Sequence, residues 1–167
     1  MTGVQTCALP ICDQWLASYE AHMGQPVQEV HALRFWRNGH PDVSPRPALD
    51  LAHLSAPAHL QHNPSRRQKG GRALALATLH SFLHGRSLGY RGGMSSPLTA
   101  PDACSRLSPY LAWGCISARE VVQTTREHLA ALPPQAMRHR ASLQAFLSRM
   151  YWHCHFIQKL ESEPQIE

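Results

Sequence analysis

A chain of 167 residues, 43% apolar and 16% charged, is long enough to close one ordinary domain around its own core. Its formal charge of +5 is modest and dispersed, so it admits a nucleic-acid partner without requiring one, and a solvated basic surface is the plainer account. No apolar run approaches the roughly 20 residues of a membrane span. Cys7, Cys12, Cys104, Cys115 and Cys154 show no C-x-x-C pairing, which points away from a zinc site or a disulfide framework and toward a reducing cytoplasm.

The first stretch, residues 1–11, reads MTGVQTCALPI and lacks the basic n-region and small-residue cleavage site of a signal peptide. It matches the translation of a common short-read sequencing adapter started at GTG, whose last base also begins the Cys12 codon. Residues 1–12 are therefore expected to be adapter-derived and are set aside from the fold. Residues 13–36 show scattered helical spacing, with Trp15, Leu16 and Tyr19 on one face until Pro26 breaks it. Pro41, Pro45, Pro47, Pro57 and Pro64 among small polar residues make residues 39–71 an extended stretch. Residues 39–71 thus read as an extended connector, preceded by a short helix within residues 13–36. The connector closes on NPSRRQKGG, residues 63–71, whose three cations suit a solvated loop or a phosphate contact.

Beyond Gly71 the pattern becomes helical. Leu76, Leu79 and Leu83, with Phe82 beside them, predict a buried stripe on a helix over Arg72–His84, ended by Gly85 and Gly89 as C-cap glycines. Residues 91–103 predict a loop, turned by Gly92, Gly93, Pro97 and Pro101. Ser108 as N-cap and Pro109 at the first position predict a short helix ending at Gly114. Ser117-Ala-Arg-Glu120 is a capping box that opens a helix to about Ala131, stopped by Leu132-Pro133-Pro134. A last helix is predicted over residues 135–160, with Leu143, Phe146, Leu147, Met150 and Tyr151 at helical spacing. No strand-like alternation competes after Gly71, so residues 72–167 are predicted to be all-α. That helix runs almost to Glu167 with no closing element, which suggests part of a longer domain.

Chemistry concentrates in residues 104–117, CSRLSPYLAWGCIS. The hydroxyls of Ser105 and Ser108 stand beside unbonded backbone N–H groups at a helix start, with Arg106 close by. Such a place suits an anion, most naturally a phosphate; a serine that merely caps a helix has the same look. Residues 153–155, His-Cys-His, do not form a metal site, because helical neighbours point about 100° apart.

This text resembles the flavin-phosphate segment of the cryptochrome/DNA photolyase family, commonly Thr-Ser-x-Leu-Ser followed by Gly-x-[IL]-Ser. Ser105, Arg106, Leu107 and Ser108 match it, and Cys104 stands where threonine is usual, offering a weaker donor than a hydroxyl. Tyr90 occupies the place of a tyrosine that contacts the cofactor in that family. A second block, residues 146–159, reads FLSRMYWHCHFIQK and resembles the helix that lines the mouth of the flavin cavity, in the wording of a bacterial photolyase-like subgroup. Trp152 aligns with the tryptophan that stacks on a lesion, a use that suits an indole at a cavity mouth; core packing is the bland alternative. Arg149 stands where dimer-repairing members carry glutamate and many cryptochromes glutamine. An arginine pairs with phosphate or with flavin oxygens but accepts no hydrogen bond from a pyrimidine.

The resemblance implies the N-terminal part of a helical FAD-binding domain over residues 72–167, preceded by an interdomain connector with a short helix over residues 13–71. The cofactor would be held by Tyr90, Cys104, Ser105, Arg106, Leu107, Ser108 and Arg149, and damaged DNA met by Trp152, Arg149 and His153. It implies a parent deoxyribodipyrimidine photo-lyase, monomeric and cytoplasmic, with an antenna chromophore on a further N-terminal domain. In such an enzyme reduced FAD passes a light-driven electron to a pyrimidine photoproduct. No catalytic residue of that reaction and no metal ligand is expected within these 167 residues. The alternatives are a cryptochrome-type photoreceptor without repair, and a fragment unable to hold flavin.

Overall fold

A computed structural model of the chain describes residues 10–28, 64, 67–162 and 165. Two compact units divide the chain, one of residues 1–27 with 70–167 and one of residues 28–69. Most of the second unit, and with it most of the expected connector, lies outside the described residues, as do residues 1–9 of the expected adapter-derived stretch. In the basic run the Arg67 N–H closes a turn on the Pro64 carbonyl at 2.9 Å.

The first unit is all-α among the described residues. Its helices are α1 (Pro10–Met23), α2 (Arg72–His84), α3 (Tyr90–Gly93), α4 (Ala100–Ala103), α5 (Ser108–Ala112), α6 (Ala118–Ala131) and α7 (Met137–Ser162), with a 3-10 turn over Arg86–Gly89 after α2. No helix among the described residues is long and apolar enough to cross a membrane.

α1 opens on a proline, which suits a first helical position because its missing N–H would be unpaired there anyway. Tyr19 and Met23 are buried, while Leu16 turns outward at 46% exposure, so the face expected to join it with Trp15 and Tyr19 is narrower than its spacing implied. Polar side chains of α6 tie down the carbonyl end of α1. Gln123 Nε2 donates to the Met23 and Gln25 carbonyls at 2.7 Å each. Arg119 donates to the Pro26 carbonyl at 3.3 Å and to Gln25 Oε1 at 3.2 Å. The bond to Met23 satisfies a carbonyl that the helix end leaves open, and the others fix Gln25 and Pro26 just beyond it.

α2 has the bounds its pattern predicted but a different buried stripe. Ala75, Leu79, Phe82 and Leu83 face the core, while Leu76 is 39% exposed. A stripe at i, i+4, i+7, i+8 needs only a small rotation of the helix, and the small Ala75 lets the neighbouring elements approach. Gly85 is the C-cap, but with φ −149° it is not left-handed, and Gly89 at φ −93° is not either. The helix stops by tightening into the 3-10 turn rather than through glycine geometry.

The loop predicted over residues 91–103 holds two single-turn helices, α3 and α4. They press together so closely that a Cβ on Gly93 would come within 2.5 Å of the Ala103 Cβ; only glycine fits there. α6 begins where the capping box placed it: Ser117 accepts from the Glu120 N–H at 3.1 Å. The reciprocal half of the box is not made, because both Glu120 carboxylate oxygens accept from Arg72, at 2.7 and 3.0 Å. α7 carries the far wall of the core, with Leu143, Phe146 and Met150 buried and Leu147 and Tyr151 partly so.

Candidate functional site

Residues 104–108 leave α4 and enter α5 by an abrupt change of backbone direction. Cys104 is extended at φ −76°, ψ 159°. Arg106 sits in the left-handed region at φ 59°, and Leu107 returns to φ −89°, ψ −13° with its side chain 1% exposed. A left-handed residue followed by a right-handed one turns successive N–H groups toward a common concavity, a backbone arrangement suited to anions. Ser108 is the first residue of α5 rather than its cap; Leu107 takes the cap position and no side chain caps the helix. That corrects the expected start by one residue. It also frees the Ser108 hydroxyl, and since α5 is only five residues long, the local N–H groups matter more than any helix dipole.

Arg86, which the sequence did not single out, fixes this segment. Its Nη1 donates to the Cys104 carbonyl and its Nη2 to the carbonyls of Ser105 at 3.3 Å and Thr78 at 2.9 Å, while Nε donates to Ser81 Oγ at 3.2 Å. The guanidinium carbon lies 5.7 Å from the centre of the Phe82 ring. Burial pushes the Arg86 pKa down, and the neighbouring Arg106 charge pushes it further the same way. Two guanidinium groups therefore crowd one short stretch of chain. Among the described residues, the N–H groups of Ser105 and Leu107 and the hydroxyls of Ser105 and Ser108 donate to no protein acceptor. The Cys104 thiol turns to the Met94 carbonyl at 4.0 Å.

Tyr90 joins this segment to α7. It opens α3 at 7% exposure, and its ring meets Phe82 at 5.5 Å and Phe146 at 5.9 Å, both edge to face. Phe82 and Phe146 close the triangle at 4.8 Å. Burial pushes the Tyr90 phenol pKa up, the charge of Arg149 pulls it back, and Cys104 adds to the rise. Arg149 is itself exposed.

Arg149, Trp152, His153 and Phe156 share one face of α7 by their i, i+3, i+4, i+7 spacing. Trp152 is half-buried and His153 exposed, and Phe156, which sequence reasoning passed over, is 58% exposed. The Trp152 ring packs against Tyr151 at 6.0 Å, His155 at 5.5 Å and Phe156 at 5.7 Å. His155 in turn stacks on Tyr151 at 6.3 Å and meets Trp15 at 5.7 Å. Among the described residues no three His, Cys, Asp or Glu side chains are placed to hold a metal ion.

The structure thus brings Tyr90, residues 104–108 and Arg149 toward one another, with Trp152 and His153 one turn further along α7. Arg86 gave no signal in the sequence beyond its place in a Gly-Arg-Ser-Leu-Gly turn just before Tyr90. No family model, curated protein or solved structure matches the chain.

Proposed function

We propose that this unit is part of a FAD-binding domain of the photolyase kind, and that residues 104–108 grip the phosphates of the cofactor. The observation that carries the reading is the set of unspent donors at Ser105, Leu107 and Ser108, fixed by Arg86 and beside the Arg106 cation. N–H groups, hydroxyls and guanidinium groups are what a diphosphate requires, and the residues present fit such a group. Tyr90 then borders the cofactor, and Arg149 supplies a second cation. Cys104 adds little to the grip, since its thiol faces Met94 and is a weak donor in any case.

FAD, when bound, supplies an electron donor that absorbs blue or near-ultraviolet light. The residues of this chain bind and orient. Trp152 offers a stacking face for an extruded base, with His153 and Arg149 beside it for the DNA backbone. The parent protein in this reading is a monomeric cytoplasmic DNA photolyase, acting on pyrimidine photoproducts and drawing on an antenna chromophore held by a further domain.

Equilibrium dialysis of the purified chain against FAD, ADP and riboflavin tests the reading. FAD and ADP are expected to bind, and riboflavin, which lacks phosphate, far more weakly. Ser105→Ala with Ser108→Ala should weaken FAD and ADP alike by roughly tenfold or more, as loss of charge-assisted bonds implies. Failure of both FAD and ADP to bind, or equal binding of riboflavin, would overturn it.

A further inference from the structure

Four imidazoles from three helices form a continuous line apart from residues 104–108. His80 and His84, one turn apart on α2, stack with ring centres 4.0 Å apart and planes 21° apart. His84 meets His128 of α6 at 4.5 Å, and His128 meets His139 of α7 at 5.6 Å. His139 is buried, with its Nε2 2.7 Å from the Oγ of Ser87 in the 3-10 turn. The line thus passes from exposed His80 and His84 through half-buried His128 to buried His139. Among the described residues no three His, Cys, Asp or Glu side chains are placed to hold a metal ion, so the line does not read as a metal cage.

Among the described residues no carboxylate pairs with these rings; on α6 Glu120 is taken by Arg72, and Glu127 beside His128 is exposed. Arg126 of α6 pairs instead with Glu20 of α1. The fixed charges around the line are otherwise positive. Arg140 of α7 bonds to the Leu129 and Leu132 carbonyls at the end of α6, each at 3.0 Å, Arg138 is exposed beside His139, and Arg86 of the 3-10 turn is spent on backbone and Ser81. One effect acts the other way at His128, which lies in the last turn of α6, where partial negative charge favours a cation.

We propose that this histidine line is a proton-operated latch, which seals α2 against α6 and α7 while neutral and loosens them when acid charges it. Imidazolium groups at these spacings repel one another, and water relieves that repulsion least at the inner end of the line, where His128 is half-buried and His139 buried. His128 shows the balance. Burial pushes its pKa down first, then the charges of His84 and His139, against a bond to the Leu83 carbonyl that raises it, and its Nε2 is buried without a hydrogen-bond partner. A histidine pKa lowered in the folded state means fewer protons bound than in the unfolded chain. Its stabilisation is therefore complete above the ordinary histidine value of about 6.5 and is lost as pH falls below it toward the lower folded value.

The test follows thermal unfolding of the whole chain between about pH 8 and about pH 5, the range in which histidine titrates, for wild type and His128→Gln. The wild-type midpoint is expected to fall by about 5 °C or more toward acid, with faster amide exchange at the facing ends of α2 and α6. His128→Gln should lose most of that fall. A flat wild-type profile, or an equal fall in both proteins, overturns the proposal. If His128→Gln does not fold, ring-proton NMR of the wild-type histidines decides: a His128 midpoint below the ordinary range supports the latch, and one at or above it sinks the idea.

Discussion

The ring of Tyr90 stands edge-on to that of Phe146, centres 5.9 Å apart and planes at 87°. One residue opens α3 and the other lies in the middle of α7, so this contact, with Phe82 as third member, locks together two parts of the chain that carry separate motifs. Edge-to-face geometry places the positive rim of one ring on the negative face of the other. Arg149, one turn beyond Phe146, is consequently near enough to act on the Tyr90 phenol.

Truncating Phe146, 3% exposed, removes two of the three ring contacts and leaves a cavity. Phe146→Ala is expected to cost about 3–5 kcal/mol. Denaturant unfolding followed by tyrosine and tryptophan fluorescence measures this; a loss under about 1 kcal/mol would show that the triangle is not a stability centre.

Arg86 holds the carbonyls of Thr78, Cys104 and Ser105 with one planar fork. A lysine reaches one of these acceptors, not all. Arg86→Lys is therefore expected to cost about 1–3 kcal/mol and to speed hydrogen exchange across residues 104–108 more than across α6. If that segment binds FAD, the same substitution weakens the affinity while Ser105 and Ser108 are intact. Exchange unchanged in the segment would remove Arg86 from its role.

Arg106 bears a left-handed backbone at φ 59° that a Cβ disfavours by about 1–2 kcal/mol. Comparing Arg106→Gly with Arg106→Ala cancels the loss of the guanidinium and leaves the backbone preference. The glycine variant should be the more stable by about 1 kcal/mol, read as a difference in denaturant midpoint at equal slope. An alanine variant as stable as the glycine one would mean that the turn has relaxed to another conformation.

Tyr19 titrates late. Burial is the first cause and the charges of Cys154, Glu20 and Tyr151 add to it against Arg126, so its pKa is pushed up to about 12. The folded state then holds a proton that the unfolded chain releases near pH 10, so this contribution is complete below about pH 10 and is lost as pH rises toward 12. In an alkaline absorbance titration, the last tyrosinate to form should be missing in Tyr19→Phe, and that variant should lose less stability between those values. An unchanged late phase in Tyr19→Phe would assign it to another of the four tyrosines.

Local chemistry was legible in the sequence wherever it acts between near neighbours. The bounds of α2, the cap of α6 at Ser117 and its stop before Pro133-Pro134 follow from periodicity, one hydroxyl and two prolines. Less followed where neighbours far along the chain decide. Leu76 and Ala75 exchange their expected places because the angle at which α2 meets its partners sets the buried stripe, not the hydrophobicity of each residue. Glu120 abandons the second half of its capping box because Arg72, distant in sequence, offers a bidentate partner. Single-turn α3 and α4 were read as loop since so short a helix has no period to detect; the contact of Gly93 with Ala103 holds them.

The same division runs through the candidate site. By itself the sequence determined the all-α character after Gly71 and singled out Tyr90, Ser105, Arg106, Ser108 and Trp152, because periodicity, caps and motif wording are properties of short stretches of chain. Tertiary structure alone decided that Arg86 anchors residues 104–108, that Tyr90 meets Phe146, and that His80, His84, His128 and His139 form one line. A guanidinium fork or an imidazole stack acts over a few ångströms of space, and a linear sequence does not encode which residues come within that range.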